Sequence, residues 1–161
     1  MEHYPQRKRN RLTSVRYDEN GAYFITICTA NKEKAFWIPG AADRRPPHCL
    51  SDIGRIAEDR IARIDEIYEG AVVVDHHVVM PNHVHLLLRI VPGGRRIAAP
   101  TVSSVINQYK GAVSKGVGFS CWQKSFYDHI VRDEADYRRI WEYIDANPGR
   151  WEEDCYYIPD D

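Results

Sequence analysis

His83 and His85 are the residues whose types and spacing most directly suggest chemistry in this sequence. They stand one residue apart at the start of an apolar run, and side chains in a strand alternate between its two faces. Both imidazoles therefore project from the same side and can converge on one ion, which predicts a metal site. The same spacing also fits two buried histidines whose ring nitrogens bond to backbone or water.

A tyrosine and an asparagine form a second pair of interest. Over residues 134–147 the apolar side chains recur at spacings of three and four, which predicts an amphipathic helix. Tyr143 and Asn147 lie one turn apart on the flank of its apolar stripe. If that flank faces the histidines, Asn147 supplies a third, oxygen ligand and Tyr143 stands beside the metal. Such a site suits Mg²⁺ or Mn²⁺ acting on a phosphodiester, because coordination positions stay open for substrate.

Simpler interpretations of this pair exist. Tyr143 could be a packing aromatic, and Asn147 could simply end the helix before Pro148. Tyr109 is a competing nucleophile, although it lies on the apolar stripe of its own helix and has Val113 four residues later. A tyrosine with its ordinary pKa of about 10 is a poor nucleophile, so either residue needs a metal or basic groups to stabilise the phenolate.

The elements that must position these residues follow from periodicity and turn residues. Ser51 and Asp133 are the expected N-caps of the first and third helices. The order β-α-β-β-α-β-α predicts an α+β fold, a ferredoxin-like four-stranded antiparallel sheet with helices packed on one face. The predicted strands are residues 23–29, 71–80, 83–91 and 125–131, and the predicted helices are residues 52–69, 101–115 and 134–147.

Charge is unevenly distributed in this chain of 161 residues, whose formal net charge is -1. A net charge near zero neither requires nor excludes a polyanionic partner, so the distribution matters more than the sum. We expect a basic N-terminal arm over residues 1–16, one domain over residues 17–151 and an acidic tail over residues 152–161. Basic side chains that could contact phosphate are Arg7, Lys8, Arg9 and Arg11 in the arm, and Arg95 and Arg96 in a loop.

The four cysteines are widely separated and form no Cys-x-x-Cys pair, which indicates reduced thiols without a zinc site. No cleavable signal and no apolar segment of about 20 residues is evident. We therefore expect a soluble, cytoplasmic protein that does not bind a membrane.

Several motifs occur together in a fixed order. They are Gly-Ala-Tyr-Phe-Ile-Thr-Ile-Cys-Thr at 21–29, Met-Pro-Asn-His-Val-His at 80–85, Trp-Gln-Lys-Ser-Phe-Tyr-Asp-His-Ile at 122–130 and Tyr-Ile-Asp-Ala-Asn-Pro at 143–148. With these motifs the chain resembles the REP-associated tyrosine transposases, an IS200-like branch of the single-tyrosine HUH transposases. The likeness covers about residues 11–151.

The resemblance implies a function for each candidate residue. His83 and His85 would be metal ligands, and Asn147, four residues after the catalytic Tyr143, would be the third. Tyr143 would attack a phosphodiester of single-stranded or hairpin DNA, giving a 5′-phosphotyrosine and a free 3′-hydroxyl with Mg²⁺ or Mn²⁺ as cofactor. The protein would act as a monomer or a homodimer, with the monomer favoured.

Two other functions compete with this one. A histidine-triad nucleotide hydrolase shares an alternating histidine motif, but that motif needs a third histidine where Leu87 stands. A non-catalytic module that binds hairpin DNA is the more serious alternative. The presence of His83, His85, Tyr143 and Asn147 together argues against it.

Overall fold

The computed structural model describes residues 21–41, 44–91 and 100–159. Its centre is a four-stranded antiparallel sheet with the strand order β2-β3-β1-β4. The predicted α+β fold and its antiparallel sheet are confirmed. The strands are β1 (Ala22–Cys28), β2 (Val72–Val79), β3 (His83–Ile90) and β4 (Tyr127–Ile130).

The helices begin at the predicted caps. Ser51 Oγ accepts a hydrogen bond from the Gly54 N–H at 3.0 Å, and the Asp133 carboxylate accepts one from the Asp136 N–H at 2.8 Å. The predicted element order is confirmed, but the first predicted helix, 52–69, is divided at Arg63 into two helices. The helices are α1 (Asp52–Ala62), α2 (Ile64–Ile67), α3 (Val102–Val117) and α4 (Glu134–Ala146), and a 3-10 segment, Asn147–Glu153, follows α4. None of the helices in these described ranges combines the length and apolar character of a membrane span.

A tight turn joins β2 to β3 and fixes where the histidines lie. The Met80 N–H donates to the His83 carbonyl at 2.8 Å, so His83 is the first residue of β3. In the resulting register Val78 of β2 pairs with His85 of β3. Both imidazoles therefore lie near one end of a central strand.

Helices cover both faces of the sheet. His77 Nε2 lies 3.0 Å from Glu58 Oε1 of α1 on one face, and His85 contacts Tyr143 of α4 on the other. The expectation that all helices pack on one face is therefore wrong. Helices are needed on both faces because Leu86 and Leu87, neighbours in β3 that point to opposite faces, are both fully buried. A strand that is buried on two sides needs a packed layer on each side.

Polar contacts hold α4 against the sheet. His129 Nε2 of β4 lies 2.7 Å from Asp136 Oδ2, and the Tyr137 hydroxyl donates to Asp75 Oδ2 at 2.6 Å. Arg89 donates to both oxygens of Asp75, at 2.7 and 3.0 Å. Burial alone would raise the pKa of Asp75, but Arg89 and Tyr137 lower it below its ordinary value, so the carboxylate stays charged. These bonds set the position of the helix that carries Tyr143.

Candidate active site

The two histidines of β3 face each other. His83 and His85 are both buried, and their Nε2 atoms are 3.1 Å apart. Strand alternation predicts this convergence, because residues two positions apart in a strand lie on the same face. Two imidazole nitrogens at this separation are placed as neighbouring ligands of one ion would be.

The other ring nitrogen of each imidazole is held by a neighbouring side chain. His83 Nδ1 lies 2.8 Å from Asn82 Oδ1, and His85 Nδ1 lies 2.9 Å from Thr26 Oγ1. The Asn82 oxygen only accepts hydrogen bonds, and its amide nitrogen donates to the Tyr156 carbonyl at 2.9 Å. His83 Nδ1 therefore donates to Asn82, and Nε2 is the ring nitrogen that faces the site. Partners of this kind orient the histidine ligands of metal sites.

Asp154 completes a group that could hold a metal ion. Each of the three residues His83, His85 and Asp154 offers one ligand atom, and these atoms lie within 4.8 Å of one another. The distance from His83 Nε2 to Asp154 Oδ2 is 3.5 Å. Burial alone would raise the pKa of Asp154, but a hydrogen bond and charge from His83 and the Tyr156 N–H hold it well below its usual range. The carboxylate is therefore ionised. Burial and the neighbouring His83 lower the pKa of His85 well below 6.5, so its imidazole is neutral at pH 7.

Asn147 joins this group through Asp154. The Asn147 Nδ2 donates to Asp154 Oδ2 at 2.8 Å, and Asn147 is itself buried. Its Oδ1 is also buried and has no hydrogen-bond partner in the part of the chain that the structure describes. A buried carbonyl oxygen without a partner is costly, and a bound cation would satisfy it.

Tyr143 lies beside the histidines, on the flank of α4 that its spacing from Asn147 indicates. Its ring makes edge contacts with His85, at a centroid distance of 5.5 Å, and with Phe24, at 6.0 Å. The side chain is half-buried.

The competing Tyr109 is far less suited to act as a nucleophile. It is fully buried, and its hydroxyl donates to the Ala57 carbonyl at 3.0 Å. Burial raises its pKa well above the usual value of 10.

A C-terminal segment covers the histidines. The Tyr156 ring lies 4.5 Å from the His83 ring between centroids, and its burial raises its pKa far above that of an ordinary tyrosine. Asp154 and Tyr156 belong to the stretch predicted as an acidic tail, so sequence reasoning missed both. A signal was present, because Trp151 precedes the acidic residues 152–154 and Tyr156 and Tyr157 follow them, and aromatic side chains are unusual in a solvated tail.

The basic residues predicted to contact DNA belong to two segments of the sequence, the N-terminal arm and the loop after β3. Arg7, Lys8, Arg9, Arg11, Arg95 and Arg96 all lie outside the described residues. Their role remains a prediction.

The donor set fits a divalent cation. Two imidazole nitrogens and one carboxylate oxygen are in place, and the Asp154 charge offsets part of a double positive charge. His83 Nε2 and His85 Nε2 face each other at 3.1 Å, so both nitrogens can ligate one cation.

Comparison with known proteins places the chain in a family. No family model matches it. A Haemophilus influenzae protein described as uncharacterized is 32% identical to it, over 94% of this chain and 93% of that protein. The chain belongs to the family of this Haemophilus protein. The match extends along nearly the whole length of both proteins.

Two solved structures have a fold similar to that of this chain. A REP-associated tyrosine transposase bound to a REP hairpin has a TM-score of 0.61 at 18% identity, over 93% of this chain and 74% of that one. A crystal structure from Deinococcus radiodurans, described as a candidate transposase, has a TM-score of 0.51 at 16% identity, over 86% of this chain and 95% of that one. At these identities the likeness shows the shared fold, and both neighbours are described as transposases.

Proposed function

We propose that the protein is a metal-dependent enzyme that nicks and rejoins single-stranded DNA at hairpin-forming repeats, with Tyr143 as nucleophile. The observation that carries this proposal is the contact between Tyr143 and His85, which puts a phenol beside a buried group of metal-ligand type. We propose that the monomer is the active unit. The similar fold of a transposase bound to a REP hairpin supports the substrate class.

His83, His85 and Asp154 would hold the cation, with Asn147 Oδ1 as a further donor. When bound, a divalent cation supplies Lewis-acid polarisation of the phosphodiester. The mixture of imidazole and carboxylate donors favours Mn²⁺ over Mg²⁺, because Mg²⁺ prefers oxygen ligands alone.

In the proposed reaction, the Tyr143 Oη attacks the phosphorus of one phosphodiester. The phenolic proton passes to water, a bond forms between Oη and phosphorus, and the bond from phosphorus to the 3′-oxygen breaks. The 3′-oxygen leaves and takes up a proton, giving a 3′-hydroxyl and a 5′-phosphotyrosine. Because the ester bond is exchanged rather than hydrolysed, the same 3′-hydroxyl or another one can reverse the step without a nucleotide cofactor.

An adduct assay tests this proposal. The protein is incubated with a 5′- or 3′-labelled hairpin oligonucleotide that carries single-stranded extensions, in the presence of Mn²⁺ or Mg²⁺. We expect a covalent protein–DNA species that carries the label lying 3′ of the nick, and its loss when EDTA is added. Adduct that forms equally in EDTA would remove the metal from the proposal.

A non-catalytic module that binds hairpin DNA is the second candidate. The burial of His83 and His85 beneath Asp154 and Tyr156 favours it, because a buried group is poorly placed to meet a substrate. Tight hairpin binding with no adduct under any metal condition would support this second function and contradict the first.

A further inference from the structure

A cavity of about 170 Å³ lies on the flank of α4 opposite Tyr143. At about 100° per residue, Trp141 and Asp145 fall on this flank, one turn apart, and Ile144 separates them from the Tyr143 side. Ile144 and Pro148 provide apolar wall, and further side chains come from α1 and from the β2 edge. Nothing in the proposed strand-transfer chemistry uses this cavity.

His76 supplies an aromatic surface and an unsatisfied polar atom. Its ring stacks on Trp141, with centroids 4.3 Å apart and planes at 24°, and Trp141 is 39% exposed. His76 Nε2 is buried without a hydrogen-bond partner in the described ranges, and it lies 3.5 Å from Asp145 Oδ1. A ligand with a hydrogen-bonding edge would satisfy this nitrogen.

The charges of the lining argue against a bare phosphate. Glu58 and Asp145 both contribute carboxylates, and Glu58 Oε1 is 3.0 Å from His77 Nε2. These two negatively charged carboxylates would repel an anion, but they would accept hydrogen bonds from an amine. A metal ion fits less well, because the only described group with three ligand atoms within 4.8 Å is the one around His83.

We propose that this cavity binds one cytosine base of the single-stranded DNA on which the proposed function acts. The apolar walls suit the faces of a base, and Asp145 and Glu58 suit its exocyclic amine, since carboxylates recognise cytosine through N4. A cavity of about 150 Å³ can hold a benzene ring, so the volume favours a pyrimidine over a purine. The inference rests on the proposed function for its substrate but uses none of the catalytic residues.

Arg45 gives the bound nucleotide a place for its phosphate. The exposed Arg45 side chain belongs to the lining and donates from Nη2 to the Asp145 carbonyl at 2.7 Å. A guanidinium at the mouth of the cavity can bind the phosphate while the carboxylates face the base. A strand held here has to cross α4, a body about 10 Å wide, to reach Tyr143.

Titration with single nucleotides tests the cavity. Imidazole NMR signals of His76 and His77, assigned with H76Q and H77Q, are followed in EDTA with dCMP, dUMP and 2-deoxyribose 5-phosphate. The dCMP and dUMP bases differ only at the exocyclic amine and the adjacent N3, so dUMP is the matched control. We expect millimolar dCMP to shift both signals and dUMP to bind about tenfold more weakly, in line with one base-edge contact.

Asp145→Ala should abolish the dCMP response, whereas Glu142→Ala, an exposed acid on the same helix, should keep it. Equal binding of dCMP and dUMP, or an equal response to deoxyribose phosphate alone, would overturn the proposal. The comparison of ligands on the unaltered protein stands even if Asp145→Ala does not fold. The titration contains no metal and forms no adduct, so it is independent of the adduct assay. If dCMP does not bind but the adduct forms, only the cavity proposal fails. If dCMP binds but no adduct forms, only the strand-transfer function fails.

Discussion

Asn147 donates a hydrogen bond from Nδ2 to Asp154 Oδ2 at 2.8 Å while its own Oδ1 is buried without a partner among the described residues. The bond fixes the orientation of the amide, so the oxygen is the end left for another group. Asp154 Oδ2, which accepts this bond, also lies 3.5 Å from His83 Nε2, so the Asn147 amide joins the histidine cluster through the carboxylate. This relationship makes the cluster suited to a cation and gives Asp154 a testable role.

Replacing Asp154 by asparagine should weaken Mn²⁺ binding. The substitution keeps the shape of the side chain but removes the negative charge beside His83, so we expect the affinity to fall at least about tenfold. Calorimetric titration with MnCl₂ measures the change. Glu152→Gln removes an exposed acid two residues earlier and is the matched control. Equal affinities for the two variants would exclude Asp154 as a ligand.

Thr26→Val should weaken the same site indirectly. It removes the hydroxyl that lies 2.9 Å from His85 Nδ1 but nearly preserves the volume of the side chain. Loss of such an orienting partner typically lowers metal affinity or activity about 10- to 100-fold. Thr26→Ser restores the hydroxyl and should recover most of the Mn²⁺ affinity in the same titration. If serine and valine behave alike, the hydroxyl does not orient His85.

Tyr109→Phe should separate the two candidate nucleophiles. It removes the hydrogen bond to the Ala57 carbonyl, so the free energy of unfolding should fall by about 1 kcal/mol. Adduct yield with hairpin DNA should stay unchanged, because the Tyr109 hydroxyl lies in the core. Urea unfolding and the adduct assay measure the two effects. A loss of adduct in a folded Tyr109→Phe protein would reopen this tyrosine as the nucleophile.

Stability of the metal-free protein should fall on mild acidification. The folded-state pKa of His85 is lowered by burial and by His83, so below pH 6.5 the unfolded chain binds a proton there before the folded chain does. The free energy of unfolding is therefore highest above pH 6.5. As the pH falls below that value, it decreases by up to about 1.4 kcal/mol per pH unit. Urea unfolding in EDTA from pH 7.5 to 5 measures it. His85→Gln should flatten this dependence, and an equal slope in both proteins would contradict the shift.

Local periodicity was sufficient to predict much of the site. Alternation along β3 places His83 and His85 on one face, and helical spacing places Tyr143 and Asn147 on one flank. Hydrophobic stripes state which side of an element is buried but not which face of the sheet buries it. The position of α4 on the opposite face from α1 therefore had to come from the structure.

Asp154 shows why the rest of the site was not predictable. Its neighbours Glu152 and Glu153 are exposed, and a short acidic run at a chain end is usually solvated. The 3-10 segment that follows α4 turns the chain back over the sheet, and only this turn brings Asp154 to His83. Contacts made through an irregular segment leave no periodic pattern in the sequence.

The identity of the residue that becomes linked to DNA tests the central claim most directly. Adduct formed with Mn²⁺ and a hairpin oligonucleotide is digested with nuclease and trypsin, and the modified peptide is sequenced by mass spectrometry. We predict a phosphodeoxynucleotide on Tyr143, and no adduct from Tyr143→Phe in a protein that folds and binds Mn²⁺ normally. Attachment to another residue, or an undiminished adduct in Tyr143→Phe, would contradict the account.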